Sequence, residues 1–486
     1  MSRRLAIERV AVAATAALYL YATCFRDGTF VYVFHKVGTG AWLDEGVRVA
    51  AGEVPYRDFV DRVGPGLLYL YALLVRVFGP RLDVMAWVGL AMGCAVTVAL
   101  HALACVVVRG PWRLAPPAVF LFLVFPGSIF GSHVWAALLL SSLATLALAR
   151  DRGSPFGSAA AAGTAGGFAV AFTPGLGAAV VAGLLLHIAV ERAPGWRRRA
   201  AWTAGAALLA VAVPAAALAA KAPPAAVMDG WMGLRPPAGS LLDLSGRWGV
   251  RMAGWLALAL TGAAAAVGPA LSRGDASGRS LVARVGLLAL VPAAVAGGDP
   301  HALAVHGSLL AVSAAAAAQR AGQRGEWAVR ARTAAAVVVC FCTLYSAAAT
   351  LAWRRWIQPT VRQRFRAGEA WIGSPNRELA WLESRARPGE AVFVFPAGGA
   401  CFFLTQTRNA TSFPTMVEGV LGEEQQRQAI AEIEAARPAV GIWIAPQRIV
   451  PPPGAPRLDT LYEGVFRSYV TERALPDGTL LLRRRE

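Results

Sequence analysis

The chain has 486 residues, of which 56% are apolar and only 16% charged. The length would suit about three soluble domains, but those would need a larger charged surface, so an all-soluble protein is excluded. The net charge of +18 is almost all arginine, with Lys36 and Lys221 the only lysines. It falls in short clusters between apolar blocks, not in a stripe laced with aromatics, which excludes a nucleic-acid surface and matches the positive-inside pattern of a multi-span membrane protein.

Ser2-Arg3-Arg4 leads into an apolar run over Leu5–Cys24, and ~20 such residues cross a bilayer as helix. No small-residue cleavage site follows, so the run reads as a signal anchor with a cytoplasmic N-terminus. A mixed segment, 26–82, forms a first outer loop. Further spans are predicted over Val84–Val108, Leu114–Phe130, Val134–Leu148, Phe156–Phe172, Leu176–Val190 and Ala200–Ala220. The remainder are Ala253–Leu271, Leu281–Ala296, His301–Ala318 and Thr333–Trp353. Every internal turn is arginine-bearing, from Arg109 and Arg113 through Arg150, Arg152 and Arg197–Arg199 to Arg273, Arg279 and Arg320–Arg332. The expectation is a polytopic α-helical membrane domain over 1–355 with about eleven transmembrane helices. Its Ala/Gly-rich spans suit close helix–helix approach.

In the first outer loop, Leu43, Val47 and Ala50 recur at helical spacing within Ala41–Ala51. Asp44 and Arg48 fall four apart on the opposite face. Gly52 ends that helix, and Pro55-Tyr56 turns into Arg57-Asp58-Phe59. Pro65–Phe78 is too short to span and reads as a helix near the outer interface, where Tyr69 and Tyr71 suit the depth. The acidic pair Asp44-Glu45, near Arg57 and Arg62, suits one chemistry. A carboxylate takes the proton of an acceptor hydroxyl while arginine forks hold a phosphate and stabilise its developing charge. The plain alternative is that Asp44 and Arg48 are a solvated pair on a surface helix.

From Val361 onward the composition is that of a soluble domain, and 361–486 reads as a small extracytoplasmic α/β unit. A helix is expected over Asn376–Arg385, capped by Ser374 with Pro375 near its first turn. Ala391–Phe395 and Ala439–Ile444 read as buried strands, Cys401–Gln406 as a short strand or helix, and Glu423–Ala436 as a helix. Asp477-Gly478 between alternating runs marks a hairpin over Tyr469–Arg484.

Other groups carry weaker signals. Lys221, Arg235, Arg247 and Arg251 lie in or beside a second outer loop, as phosphate contacts or as snorkelling interfacial charges. His301 and His306 are five apart and do not share a helix face well; with no H-E-x-x-H or C-x-x-C pattern, no metal site is expected. His101 and His187 read as packing residues. Cys94, Cys105, Cys340 and Cys342 fall within spans, and Cys24 with Cys401 leaves room for one disulfide. Asn409-Ala-Thr411 matches a glycosylation sequon and is given no role. The absence of a Walker A lysine motif and of a dinucleotide glycine pattern argues against an ATP-driven pump and a nicotinamide enzyme.

Asp44-Glu45, Ala51-Gly-Glu-Val-Pro-Tyr-Arg-Asp-Phe59 and the run from Gly64 through Phe78-Gly79 resemble the opening of the bacterial GT-C membrane glycosyltransferases. These are the protein-mannosyltransferase and aminoarabinose-transferase kind, with lipopolysaccharide galacturonosyltransferase relatives. The Asp299-Pro-His301 turn, Val392–Phe395, Phe402–Leu404 and Arg408–Thr411 also look like later parts of such enzymes. The resemblance implies an inverting transfer of sugar from a polyprenyl-phosphate donor to a hydroxyl on a lipid, glycan or protein. The site would lie on the outer face of the inner membrane. It casts Asp44 as catalytic base and Glu45 as a positioner of the acceptor or of a cation. Arg57, Arg62, Arg247 and His301 are then candidates for the donor phosphate. No cofactor is obligatory in this reading, with a divalent cation left open. One departure is plain: some relatives carry Lys-Pro-Pro where this chain has Val63-Gly-Pro-Gly66, so their phosphate-binding lysine has no direct match, and Arg62 is the nearest substitute. The rival readings are a transporter or flippase and a non-catalytic scaffold of envelope assembly. A transporter would place ionisable residues near the bilayer midplane, whereas the acidic cluster here sits in a loop.

Overall fold

Long apolar runs must satisfy their own backbone hydrogen bonds, and an α-helix is the local way to do so. In the computed structural model, the described residues are 3–31, 39–60, 64–125, 133–150, 155–231, 263–264, 266–267, 278–295, 300–321, 326–352, 361–395, 398–414, 421–444 and 458–486. They group into two units: Met1–Cys24, Trp87–Ala217 and Leu234–Arg354 form one, and Phe25–Ala86, Leu218–Gly233 and Arg355–Glu486 the other. The first loop, assigned above to the membrane domain, thus falls in one unit with the C-terminal region.

The first unit is helical. It contains α1 (Arg3–Cys24), most of α4 (Leu82–Val107), a mixed helical run over Gly110–Val124, and helices His133–Ala149, Pro155–Phe172 and Pro174–Glu191. Trp196–Ala219, Gly278–Val295, Pro300–Ala321 and Glu326–Ala352 follow. By length and composition, Leu5–Cys24, Leu82–Val107, Pro174–Glu191 and Trp196–Ala219 can cross a membrane, and six further apolar helices are shorter. Among the described residues four helices meet the length criterion, and most of the expected span Ala253–Leu271 lies outside those residues. Small residues bring the helices together. A Cβ on Gly163 would sit 2.2 Å from the Thr203 carbonyl oxygen, and one on Gly167 2.5 Å from that of Ala207. This is a small-xxx-small contact, backbone against backbone. Inside the bundle, the buried Arg284 donates to His187 Nδ1 at 3.0 Å and Glu191 Oε1 at 2.9 Å.

The second unit holds two sheets. β1 (Phe25–Arg26) and β2 (Thr29–Val31) join through Asp27-Gly28, both at positive φ, and β3 (Val361–Phe365) and β4 (Gly368–Ile372) form a second hairpin. Their order is β1-β2-β4-β3, with β2 parallel to β4 and Phe30 opposite Ala370. The five-stranded sheet runs β6-β5-β7-β9-β8, from β5 (Ala391–Phe395), β6 (Arg408–Asn409), β7 (Val440–Trp443), β8 (Tyr469–Ala474) and β9 (Leu480–Arg484). β5 and β7 are parallel and covered, which explains their unbroken apolar runs. Phe393, Phe395 and Trp443 pack against Ala429 and Ile433 of helix Glu423–Ala436 and against Leu461 and Val465 of helix Asp459–Ser468. The hairpin at Asp477-Gly478 forms as expected, with the Thr479 amide donating to Asp477 Oδ1 at 3.1 Å.

One local alternative is decided and two local expectations are corrected. The segment at 401–406 is a helix, Gly399–Thr405. Asn376, not Ser374, caps helix Arg377–Arg385: its side-chain oxygen accepts from the Leu379 amide at 3.2 Å. Pro375 holds the preceding residue extended, so the helix starts after it. Tyr71 is no interfacial anchor; only 1% exposed, it packs inside the unit, while Tyr69 is 45% exposed.

Tyr71 lies on α3 (Pro65–Phe78), which packs against α2 (Thr39–Ala50). The contact closes on Gly46, where a Cβ would meet Tyr71 Cβ at 2.6 Å. Gly46→Ala is expected to force the helices apart and lower stability by about 1–3 kcal/mol. Thermal unfolding in detergent reads this out, and an unchanged midpoint would refute it.

Candidate active site

α2 carries the acidic doublet, and both α3 and helix Gly399–Thr405 pack against it. Asp44, Glu45 and Arg48 are consequently 2%, 1% and 7% exposed. The solvated-pair reading of Asp44 and Arg48 is overturned. An amphipathic period cannot reveal that a segment some 350 residues away in sequence packs on this helix.

Burial sets the electrostatics. Loss of water pushes the Asp44 carboxyl up from 3.8 to about 7, against the pull of the Arg48 charge and with an added push from Glu53. Asp44 Oδ2 is shielded from solvent and has no hydrogen-bond partner among the described residues. A carboxylate of this kind is matched to accepting a proton near neutral pH.

Arg48 is fully engaged. Its Nε donates to Glu53 Oε2 at 2.6 Å, Nη1 to the Thr411 carbonyl at 3.1 Å and Nη2 to the Asp58 carbonyl at 3.1 Å. The guanidinium also lies 4.7 Å over the Phe59 ring. The turn below is built by Asp58, whose Oδ2 accepts from the Val54 amide at 2.7 Å, and by Tyr56, which takes a left-handed conformation at φ 66°. Such a backbone is costly for a bulky residue and persists where its surroundings dictate it. Arg57 grips both Asp58 oxygens, at 2.8 and 2.7 Å, and donates to the Lys221 carbonyl at 3.2 Å. Its hydrogen bonds hold the Asp58 carboxyl below the usual carboxylate range. The Arg57 guanidinium stays partly open to solvent.

The sequon is spent on structure. Buried Asn409 donates to the Phe413 carbonyl at 2.9 Å and accepts from the Thr411 amide and hydroxyl at 3.0 and 3.1 Å. Glu432 accepts from the Ser412 amide at 2.7 Å and from its hydroxyl at 2.8 Å. The turn so fixed offers two carbonyls, Thr411 to Arg48 and Ser412 to the Val60 amide at 3.0 Å.

Of the sequence-derived candidates, Asp44, Glu45 and Arg57 fall in this one unit. Arg62 and Arg247 lie outside the described residues, and of His301 only the backbone, in helix Pro300–Ala321, is described. Arg48, Glu53 and Thr411 join in one hydrogen-bonded network that the sequence did not single out, the four-residue step from Asp44 to Arg48 being the one available signal. Among the described residues, one trio has metal-ligand character: Glu8, His101 and Cys105, with ligand atoms within 4.8 Å of one another. Arg113 already binds both Glu8 oxygens there. All six cysteines are free thiols, so the Cys24–Cys401 bridge does not form.

No family model matches the chain, and no curated protein matches it in sequence. Solved structures do match in fold. ArnT from Cupriavidus metallidurans, bound to undecaprenyl phosphate, superposes with a TM-score of 0.57 at 12% identity, covering 99% of this chain and 98% of that one. The archaeal oligosaccharyltransferase AglB from Archaeoglobus fulgidus, in complex with an inhibitory peptide and a dolichol-phosphate, gives 0.57 at 13% identity, covering 91% and 70%. The arabinofuranosyltransferase AftD from Mycobacteria gives 0.54 at 14%, covering 100% of this chain and 40% of that one. The fold is that of the GT-C glycosyltransferases. The GT-C correspondence runs end to end with ArnT, so the C-terminal region belongs to the shared fold along with the helices. The chain accordingly shares the fold of these polytopic membrane proteins and carries apolar helices long enough to cross a membrane.

Proposed function

We propose that this chain is a glycosyltransferase that moves a sugar from a polyprenyl-phosphate donor to a hydroxyl acceptor, with inversion, at the outer face of the inner membrane. The observation that carries the proposal is Asp44, a buried helix-borne carboxyl held near pH 7 with one oxygen unengaged. Its burial answers a chemical need, since a base that must take a hydroxyl proton works best when its pKa lies near the working pH. The GT-C fold supports the substrate class: ArnT holds undecaprenyl phosphate and AglB a dolichol-phosphate in their structures. In this reading Asp44 deprotonates the acceptor hydroxyl, whose oxygen attacks the anomeric carbon as the lipid phosphate departs. Glu45, beside it on α2, positions the acceptor or a divalent cation. The donor phosphate falls to Arg57, Arg62, Arg247 and His301.

Arg57 illustrates the donor side. Asp58 occupies its Nε–Nη2 edge and so orients the partly exposed guanidinium, whose remaining N–H groups can meet a phosphate oxygen. Arg57→Gln is expected to raise KM for the lipid-linked donor by about tenfold, with a smaller effect on kcat. An unchanged KM would remove Arg57 from the donor site.

The experiment for the function is transfer by purified protein from radiolabelled polyprenyl-phosphate sugars to an envelope extract, comparing wild type with Asp44→Asn. No transfer from any such donor by intact protein would overturn the assignment.

A further inference from the structure

Within the helical unit, three side chains of metal-ligand type converge where the proposed reaction uses none of them. His101 and Cys105 lie one turn apart on α4 and share a face of it, and Glu8 reaches that face from α1. His101 Nε2 is 3.0 Å from Glu8 Oε1 and 3.6 Å from Cys105 Sγ, and the three ligand atoms fall within 4.8 Å of one another. Protons alone serve this arrangement poorly. An ionised Glu8 can only accept, so the single proton of a neutral Nε2 goes to it. Nε2 then has no lone pair for the Cys105 thiol, and an N–H and an S–H face each other. Arg113, from the Gly110–Val124 run, grips both Glu8 oxygens. Its fork fixes the direction of the carboxylate and still leaves Oε1 a lone pair toward His101.

We propose that Glu8, His101 and Cys105 form a zinc-class metal site that fastens α1 to α4. The site is independent of the proposed transfer reaction. Imidazole nitrogen, thiolate sulfur and carboxylate oxygen are the donors zinc takes, and the sulfur disfavours the hard ions magnesium and calcium. Zinc bonds of ~2.0–2.2 Å to nitrogen and oxygen and ~2.3 Å to sulfur set tetrahedral ligands about 3.3–3.6 Å apart. The 3.6 Å from nitrogen to sulfur lies on that edge, and the 3.0 Å from nitrogen to oxygen needs a slight opening. Water completes the tetrahedron. The ion takes the place of the Nε2 proton, which moves to Nδ1. That atom is buried without a hydrogen-bond partner among the described residues, so no bond is lost there. The thiol proton leaves to solvent, one for each ion bound. Such a fastening meets a need of this helix. α1 is the least buried of the four span-length helices, and apolar packing alone holds a helix weakly against equally apolar lipid. No sequence motif announces the site, because Glu8 stands 93 residues from His101.

The test uses tag-free, full-length protein in detergent, stripped of metal by a chelator and titrated with Co2+, whose spectrum reports its ligands. Saturable binding of one ion per chain is expected, with the visible bands of tetrahedral cobalt, a thiolate-to-cobalt charge-transfer band, and displacement by Zn2+. Cys105→Ser is expected to abolish the charge-transfer band, and His101→Gln and Glu8→Gln each to weaken binding by at least about tenfold. Cys340→Ser, which alters an exposed thiol on helix Glu326–Ala352, should keep every signal. If Cys105→Ser does not fold, the wild type decides: Zn2+ should protect Cys105 from alkylation, read by peptide mass, and leave Cys340 reactive. No saturable binding overturns the site. A charge-transfer band that survives in folded Cys105→Ser, or alkylation of Cys105 indifferent to Zn2+, overturns it equally. Full-strength binding in folded Glu8→Gln overturns the fastening of α1.

Discussion

Asp44→Asn is expected to slow sugar transfer by roughly 10²–10⁴-fold at pH 8 while making the protein more stable. The amide keeps the shape of the carboxyl and cannot accept the acceptor's proton. The stability arm follows from linkage. The Asp44 carboxyl lies at about 7 in the fold and at 3.8 as a free side chain, so the folded form holds its proton more tightly. Below 3.8 the group costs nothing; from there stability falls as pH rises to about 7, and above that the loss is complete. About three units at ~1.4 kcal/mol each put the loss on the order of 4 kcal/mol. Asparagine escapes it. The melting temperature of Asp44→Asn should match wild type near pH 4 and exceed it increasingly up to pH 7–8. Wild-type transfer, in turn, should rise with pH through about 7, as the base ionises. A variant that is inactive and equally stable at every pH would mean that Asp44 is not the buried, reluctant base described.

The second large effect concerns stability alone. Arg284→Met is expected to cost about 3–5 kcal/mol, because it strands the Glu191 carboxylate in the helical unit. Arg284 and Glu191 side chains are 2% and 6% exposed, so solvent cannot rescue the lone charge. His187, the other acceptor of Arg284, offers no compensating cation unless it takes up a proton. The double variant Arg284→Met/Glu191→Gln should recover most of the loss, since a buried pair replaced as a unit is often nearly neutral. Detergent melting of the three proteins tests this. A single variant that melts like wild type would show the pair to be hydrated.

What could be read from the sequence followed the range of the forces involved. β5 and helix Glu423–Ala436 were legible because their patterns are local, a continuous apolar run and a helical period. The hairpin at Asp477-Gly478 was legible because turn chemistry is local too. The cap on Arg377–Arg385 was misplaced by two residues, where two capping side chains flank a proline and only geometry decides. The four-stranded sheet was invisible: Phe30 meets Ala370 through main-chain bonds that leave no side-chain signature at either end. The site behaved the same way. Asp44 was marked out by its motif, but its burial, which raises its pKa, occurs on a helix packed against distant Gly399–Thr405 and could not be read locally. Arg48 looked like half of a surface pair because its acceptors at 58 and 411 are carbonyls, which no residue pattern announces.

The pairing of β2 with β4 also has a bearing on how the molecule is made. At about 5–20 residues per second, the ~340 residues separating Phe30 from Ala370 take roughly 20–70 s to leave the ribosome. For that interval the segment bearing Asp44 has neither its sheet partner nor the 409–413 turn that anchors Arg48. A nascent or prematurely stopped chain therefore carries the acidic doublet without the contacts made later in the sequence. If Asp44 serves as proposed, translation order withholds its full surroundings until the 409–413 turn has been made.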